Sequence, residues 1–142
     1  MAHHVEHPHS PEAVDEAIYR EAGTQRLVVV RFGQSAHSDC LRVDAAMVAG
    51  AERVGPVAAL YAVDIDEVQD FNVMYELHER TCTVMFFYGY SCVDVRGPRS
   101  RDDIVWAAYG GDDFAGIVRA VHERARAGRR IVVLVYGALA TK

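Results

Sequence analysis

Apolar residues in this chain recur in two rhythms, and the rhythms mark out alternating helices and strands. From Pro11 onward the apolar positions are Val14, Ala17, Ile18 and Ala22, the three- and four-residue steps of a helix. Ser10 is placed to cap it, Pro11 sits at its first position, and Gly23 ends it. Leu27 to Phe32 is then a β-branched, almost wholly apolar run suited to a central strand buried on both faces. Cys40, Val43, Met47, Ala51 and Val54 return to helical spacing, with Asp39 as the expected N-cap and Gly55-Pro56 as the stop. Val57 to Val63 predicts a second buried strand, and Asp66 is placed to cap a third helix carrying Phe71, Met74, Tyr75 and Leu77. Thr83 to Tyr88 and Ser91 to Val95 flank Gly89-Tyr90 as a β-hairpin. Gly97-Pro98 breaks the pattern, and a polar loop over 98–112 carries Ile104, Val105, Trp106 and Tyr109. The last helix presents Phe114, Ile117, Val118, Val121 and Ala125 on one face, with Gly128 as its C-cap.

The predicted order is α-β-α-β-α-β-β-α. A β-α-β unit requires a parallel crossover and a tight hairpin requires an antiparallel pair. The architecture that accommodates both is an α/β thioredoxin-like fold, a mixed four-stranded sheet flanked by helices. The domain is expected over 11–128. Residues 1–10 read as a poorly ordered N-terminal arm holding four of the seven histidines, His3, His4, His7 and His9. Residues 129–142 form a C-terminal extension in which Ile131 to Tyr136 is either a short added strand or a packed tail.

Composition narrows the class. The 142 residues, 51% apolar, are enough for one domain with its own core. No apolar run reaches membrane-spanning length, and the expected absence of a signal-peptide core argues against secretion. Three cysteines are too few for a secreted disulfide framework. The net charge of −5 is unevenly spread: residues 1–95 carry 6 basic and 15 acidic side chains, residues 96–142 carry 9 and 5.

The stretch Leu27 to Leu41, LVVVRFGQSAHSDCL, has the layout of a thioredoxin active site, a strand and turn leading to a thiol at the head of a helix. Such a position favours the thiolate through the helix dipole and free N–H groups. The chemistry is incomplete. In a Cys-x-x-Cys frame the outer, attacking position is His37, and only the inner Cys40 remains. The buried acid that manages protons in thioredoxins is replaced by Arg31. Cys82 falls where the fold brings the third strand beside the site, so a Cys40–Cys82 disulfide is allowed if the Cβ atoms approach to about 4 Å. The alternative is two reduced thiols acting as small hydrophobes. Cys92 reads as a core or sheet residue. His37, Cys40 and Cys82 would make three metal ligands, but no spaced ligand pair accompanies them, and no metal or cofactor is expected. No hydrolase triad, P-loop or dinucleotide motif is present. Arg119, Arg124, Arg126, Arg129 and Arg130 form a basic segment without interleaved aromatics, which suits an acidic protein or an RNA backbone better than base readout, or simply a solvated helix face.

Longer strings carry a resemblance: His7-Pro8-His9, VVVRFG at 28–33, Cys40 followed by Asp44, YAVDIDEVQDFNVMYEL at 61–77, CTVMFF at 82–87 and VHERARAGR at 121–129. With these the chain resembles the thioredoxin-like Dim family of U5 snRNP 15 kDa proteins. The resemblance implies a non-enzymatic nuclear component of the U4/U6·U5 tri-snRNP in pre-mRNA splicing. It also implies that Cys40 and Cys82 match the family's cysteine pair. The implied partners are large tri-snRNP scaffold proteins and adaptors with GYF or WW-type domains. The chain departs from the family at His78-Glu79-Arg80-Thr81, one residue longer than the usual loop, and over 88–112. A thiol-disulfide redox protein or redox switch using Cys40 and Cys82 is the competing expectation.

Overall fold

A computed structural model describes residues 4–99 and 104–134. His3, Tyr136 and the rest of the extension beyond 134 lie outside the described residues. The elements are β1 (Val5–Glu6), α1 (Pro11–Arg20), β2 (Leu27–Gly33), α2 (Ser38–Val54), β3 (Ala58–Asp64), β4 (Cys82–Tyr88), β5 (Ser91–Arg96), α3 (Gly111–Arg126) and β6 (Ile131–Val133).

The sheet order is β1-β3-β2-β4-β5-β6. Its middle is the expected mixed sheet, with β2 parallel to β3 and antiparallel to β4, and β4 antiparallel to β5. Two edge strands add to that count of four. Val5 and Glu6 pair in parallel with Leu60 and Tyr61, so this part of the supposedly loose arm is tied to the sheet. Ile131 to Val133 pair in parallel with Asp94 to Arg96, which settles the added-strand alternative for those residues. A two- or three-residue strand has too short a period to be visible in sequence; only the waiting sheet edge makes it one.

β2 is buried along its whole length, and its alternation builds two cores. Leu27 and Val29 point to the side of α2 and α3, where Val43, Met47, Phe86, Phe114, Ile117 and Val118 pack. Val28, Val30 and Phe32 point to the side of α1, where Val14, Phe71, Leu77 and Phe87 pack. Ser10 caps α1 by accepting from the Ala13 N–H at 3.1 Å. α3 ends in a Schellman motif: the Gly128 N–H donates to Ala125 O and the Arg129 N–H to Arg124 O, with Gly128 at φ +95°.

The third predicted helix does not form. Residues 65–76 run in turns, followed by a 3-10 turn at Leu77–Glu79. Polar side chains here bond nearby backbone instead of leaving it to a helix ladder: Asp64 accepts from the Asp66 N–H and Asn72 donates to Ile65 O. Phe71 and Tyr75 still reach the core, stacked with centroids 5.9 Å apart, but Met74 is exposed.

Candidate functional site

The site lies where the C-terminal end of β2, the first turn of α2 and the start of β4 meet. Gly33 closes β2 and pairs with Cys82 across the β2–β4 ladder. α2 begins at Ser38, and its cap is His37, whose Nδ1 accepts from the Asp39 N–H at 3.0 Å. Asp39, the expected cap, sits instead inside the first turn and accepts from the Thr81 hydroxyl, tying α2 to the loop before β4. An imidazole nitrogen does here what an oxygen side chain usually does, which is why the sequence pattern favoured Asp39.

Cys40 is fully buried, and its Sγ donates to Thr81 O at 3.4 Å. The missing side chain of Gly33 makes the space: a Cβ there would overlap Cys40 Sγ and lie 2.9 Å from Thr81 O. Cys82 is partly buried beside it, and both thiols are free. The neighbouring Cys82 side chain lowers the Cys40 pKa below the ordinary thiol value, against burial and with help from the Arg31 charge. The proximity of Cys40, then burial, raises Cys82. Cys92 is exposed on β5, not a core residue.

Arg31 has all its donors engaged. Nε and Nη2 donate to the two oxygens of Asp44 on α2, each at 2.7 Å. Nη1 donates to Gly33 O and Val63 O, and Nη2 also to Ser35 Oγ. Burial disfavours the cation, but the hydrogen bonds and charge of Asp44 outweigh it, and the guanidinium is held above its ordinary value. The Asp44 partnership escaped the sequence reading. Its signal was there: an odd-numbered position in β2 faces α2, and a carboxylate one turn after Cys40 sits on the helix face that meets it.

The arrangement differs from a Cys-x-x-Cys dithiol site. Exchange needs an accessible thiolate attacking a disulfide sulfur. Cys40 has the favoured thiolate but no exposure, the outer position is an imidazole, and the cation beside the thiols is locked in an ion pair. Among the described residues no group of three or more His, Cys, Asp or Glu is placed to hold a metal, and no helix is long and apolar enough to cross a membrane.

The basic residues divide. Arg119 turns to α2 and donates to Arg53 O at 3.2 Å. Arg124 bonds its own helix at Ala120 O, while Arg126, Arg129 and Arg130 are exposed around the C-terminal end of α3. There they also complement the helix dipole.

Residues 4–137 match the sequence profile of the family described as "Mitosis protein DIM1". The chain is 38% identical over 135 residues to mitosis protein dim1 of Schizosaccharomyces pombe, covering 94% of this chain and 92% of that protein. It is 35% identical over 128 residues to the spliceosomal protein DIB1 of Candida glabrata, covering 90% and 89%. A crystal structure of chloroplastic thioredoxin z superposes with a TM-score of 0.61 at 17% identity, over 87% of this chain and 98% of that one, a likeness of fold.

Proposed function

This chain belongs to the DIM1 family, and from that membership we propose that it is a non-enzymatic structural component of the U5 snRNP and the U4/U6·U5 tri-snRNP, acting in pre-mRNA splicing in the nucleus. The observation that carries the proposal is the reach of the match, which spans the described fold from before β1 to beyond β6. The geometry supports the non-enzymatic part, because the one thiol in the active-site frame is sealed and Arg31 is committed to Asp44. The site thus serves as a packing centre that holds the surrounding surfaces in place.

The contacts are with large scaffold proteins of the tri-snRNP and with adaptor proteins carrying GYF or WW-type domains. The basic end of α3, exposed at Arg126, Arg129 and Arg130 and continued by the half-buried Arg124 and by Arg119, is the proposed contact surface for an acidic protein segment or an RNA backbone. Tagged protein purified from nuclear extract is expected to bring U5 snRNA and tri-snRNP proteins with it. Recovery free of any snRNP would overturn the proposal.

A second reading rests on two free thiols, Cys40 and Cys82, that both lie against Gly33. It makes the protein a thiol redox protein or switch. Insulin reduction by the wild type that is abolished in Cys40→Ser would favour it over the first.

A further inference from the structure

The hairpin of β4 and β5 is zipped only at its tip. Phe86, Phe87 and Tyr88 pair with Val93, Cys92 and Ser91. Beyond that, β5 turns away and pairs with β6 through Asp94, Val95 and Arg96. The backbone shows which groups this leaves facing the gap. The Asp94 N–H donates to Arg130 O and Arg96 O accepts from the Leu134 N–H, each at 2.8 Å, so these residues point their peptide groups at β6. Alternate residues of a strand point the opposite way, so Val95 directs its N–H and C=O toward β4. On β4, Val84 lies two residues from Phe86, which pairs with β5, and points the same way. Among the described residues no strand lies between Val84 and Val95. A cleft of about 370 Å³ opens there instead.

Its two walls differ. On the α2 and α3 side it is floored by Ile104 and Trp106, both buried apolar residues. On the other side stand Tyr75, Glu76 and Glu79, the two glutamates exposed. The lining thus sets Glu76 and Glu79 against one guanidinium, Arg80, while Asp94 is already paired with Arg96 at 2.8 Å. Side chains of an extended segment in this cleft would alternate between the apolar floor and the acidic wall.

We propose that the cleft between β4 and β5 is a strand-addition site for an extended segment of a partner protein in which apolar and basic residues alternate. Main-chain pairing to Val84 and Val95 supplies affinity, the Trp106 side takes the apolar residues, and Glu76 and Glu79 take the basic ones. The volume suits a few residues and not a folded domain. The acidic wall repels a phosphate backbone, so the occupant is peptide and not RNA. The cleft borders the thiol frame at Cys82 but uses neither thiol, and it stands whether or not the chain works in the spliceosome.

The test uses the purified full chain and a fluorescein-labelled hexapeptide of alternating valine and lysine. Binding is read by fluorescence anisotropy, and amide hydrogen exchange reports where the peptide sits. Binding is expected to slow exchange at Val84 and Val95. Methylating alternate backbone nitrogens of the peptide keeps its charge and is expected to weaken binding tenfold or more. Glu76→Lys with Glu79→Lys, two exposed changes, is expected to do the same and to favour a valine–glutamate peptide. No binding, binding indifferent to N-methylation, or protection elsewhere on the chain would overturn the proposal.

Discussion

Arg31 and Asp44 form a two-pronged ion pair across the β2–α2 interface, with both N···O distances at 2.7 Å. The Arg31 side chain is fully buried and the Asp44 side chain about one quarter exposed. Where a thioredoxin site keeps an acid to move protons, this protein keeps a cation with every N–H engaged. The pair ties α2 to the sheet.

Removing one partner leaves a buried charge uncompensated. Asp44→Ala is expected to lose about 3–5 kcal/mol of stability, while replacing both residues together with leucine is expected to lose far less. Urea unfolding of the two variants gives the comparison. Equal losses would mean that the packing of α2, not the charge, carries the effect.

Gly33→Ala tests the space in which Cys40 sits. The added Cβ meets Cys40 Sγ and the Thr81 carbonyl, so a loss on the order of 1–3 kcal/mol is expected from overpacking. Faster reaction of Cys40 with a thiol reagent should accompany it. Gly116→Ala on α3 is the control, because its Cβ meets nothing within 4 Å, and it is expected to gain about 0.4–1 kcal/mol.

The native thiols should label in the order of their exposure. Cys92 is expected to react first, and Cys40 only as the protein opens. Mass spectrometry of briefly alkylated protein reads this directly. Early labelling of Cys40 would show an accessible site.

Alkaline pH should weaken the fold. Burial raises the pKa of Tyr61, Tyr75 and Tyr109 above the ordinary 10.0. The folded chain therefore holds protons that the unfolded chain releases. The stabilising contribution is intact below pH 10 and falls as pH rises through the folded values. Tyrosinate absorbance that completes only as the circular dichroism is lost is the expected result. Full titration with the fold intact would contradict it.

Charge reversal of Arg126, Arg129 and Arg130 to glutamate tests the basic end of α3. These side chains are exposed, so stability is expected to change by less than about 0.5 kcal/mol per substitution. Recovery of U5 snRNA with the tagged protein is expected to fall. Unchanged recovery would place the contact elsewhere.

The long periodic elements were legible in the sequence because burial sets their period. β2, α2, β3 and α3 came from the spacing of residues such as Val43, Met47 and Val54. Most of what was missed is set by partners distant in sequence. Val5–Glu6 is a strand only because Leu60 and Tyr61 offer an edge. The Asp66 helix gave way to local side-chain bonds from Asp64 and Asn72. In the site, the absent nucleophile and the position of Arg31 could be read residue by residue. The grip of Asp44, the space above Gly33 and the gap between Val84 and Val95 needed the fold, since each joins residues from separate elements.

The central claim is that this thioredoxin frame serves splicing without thiol chemistry. The most direct measurement is rescue of a splicing extract depleted of the endogenous protein, comparing the wild type with the Cys40→Ser, Cys82→Ser double variant. Both are expected to restore splicing to the same extent. Rescue by the wild type alone, with the double variant folded, would contradict the account.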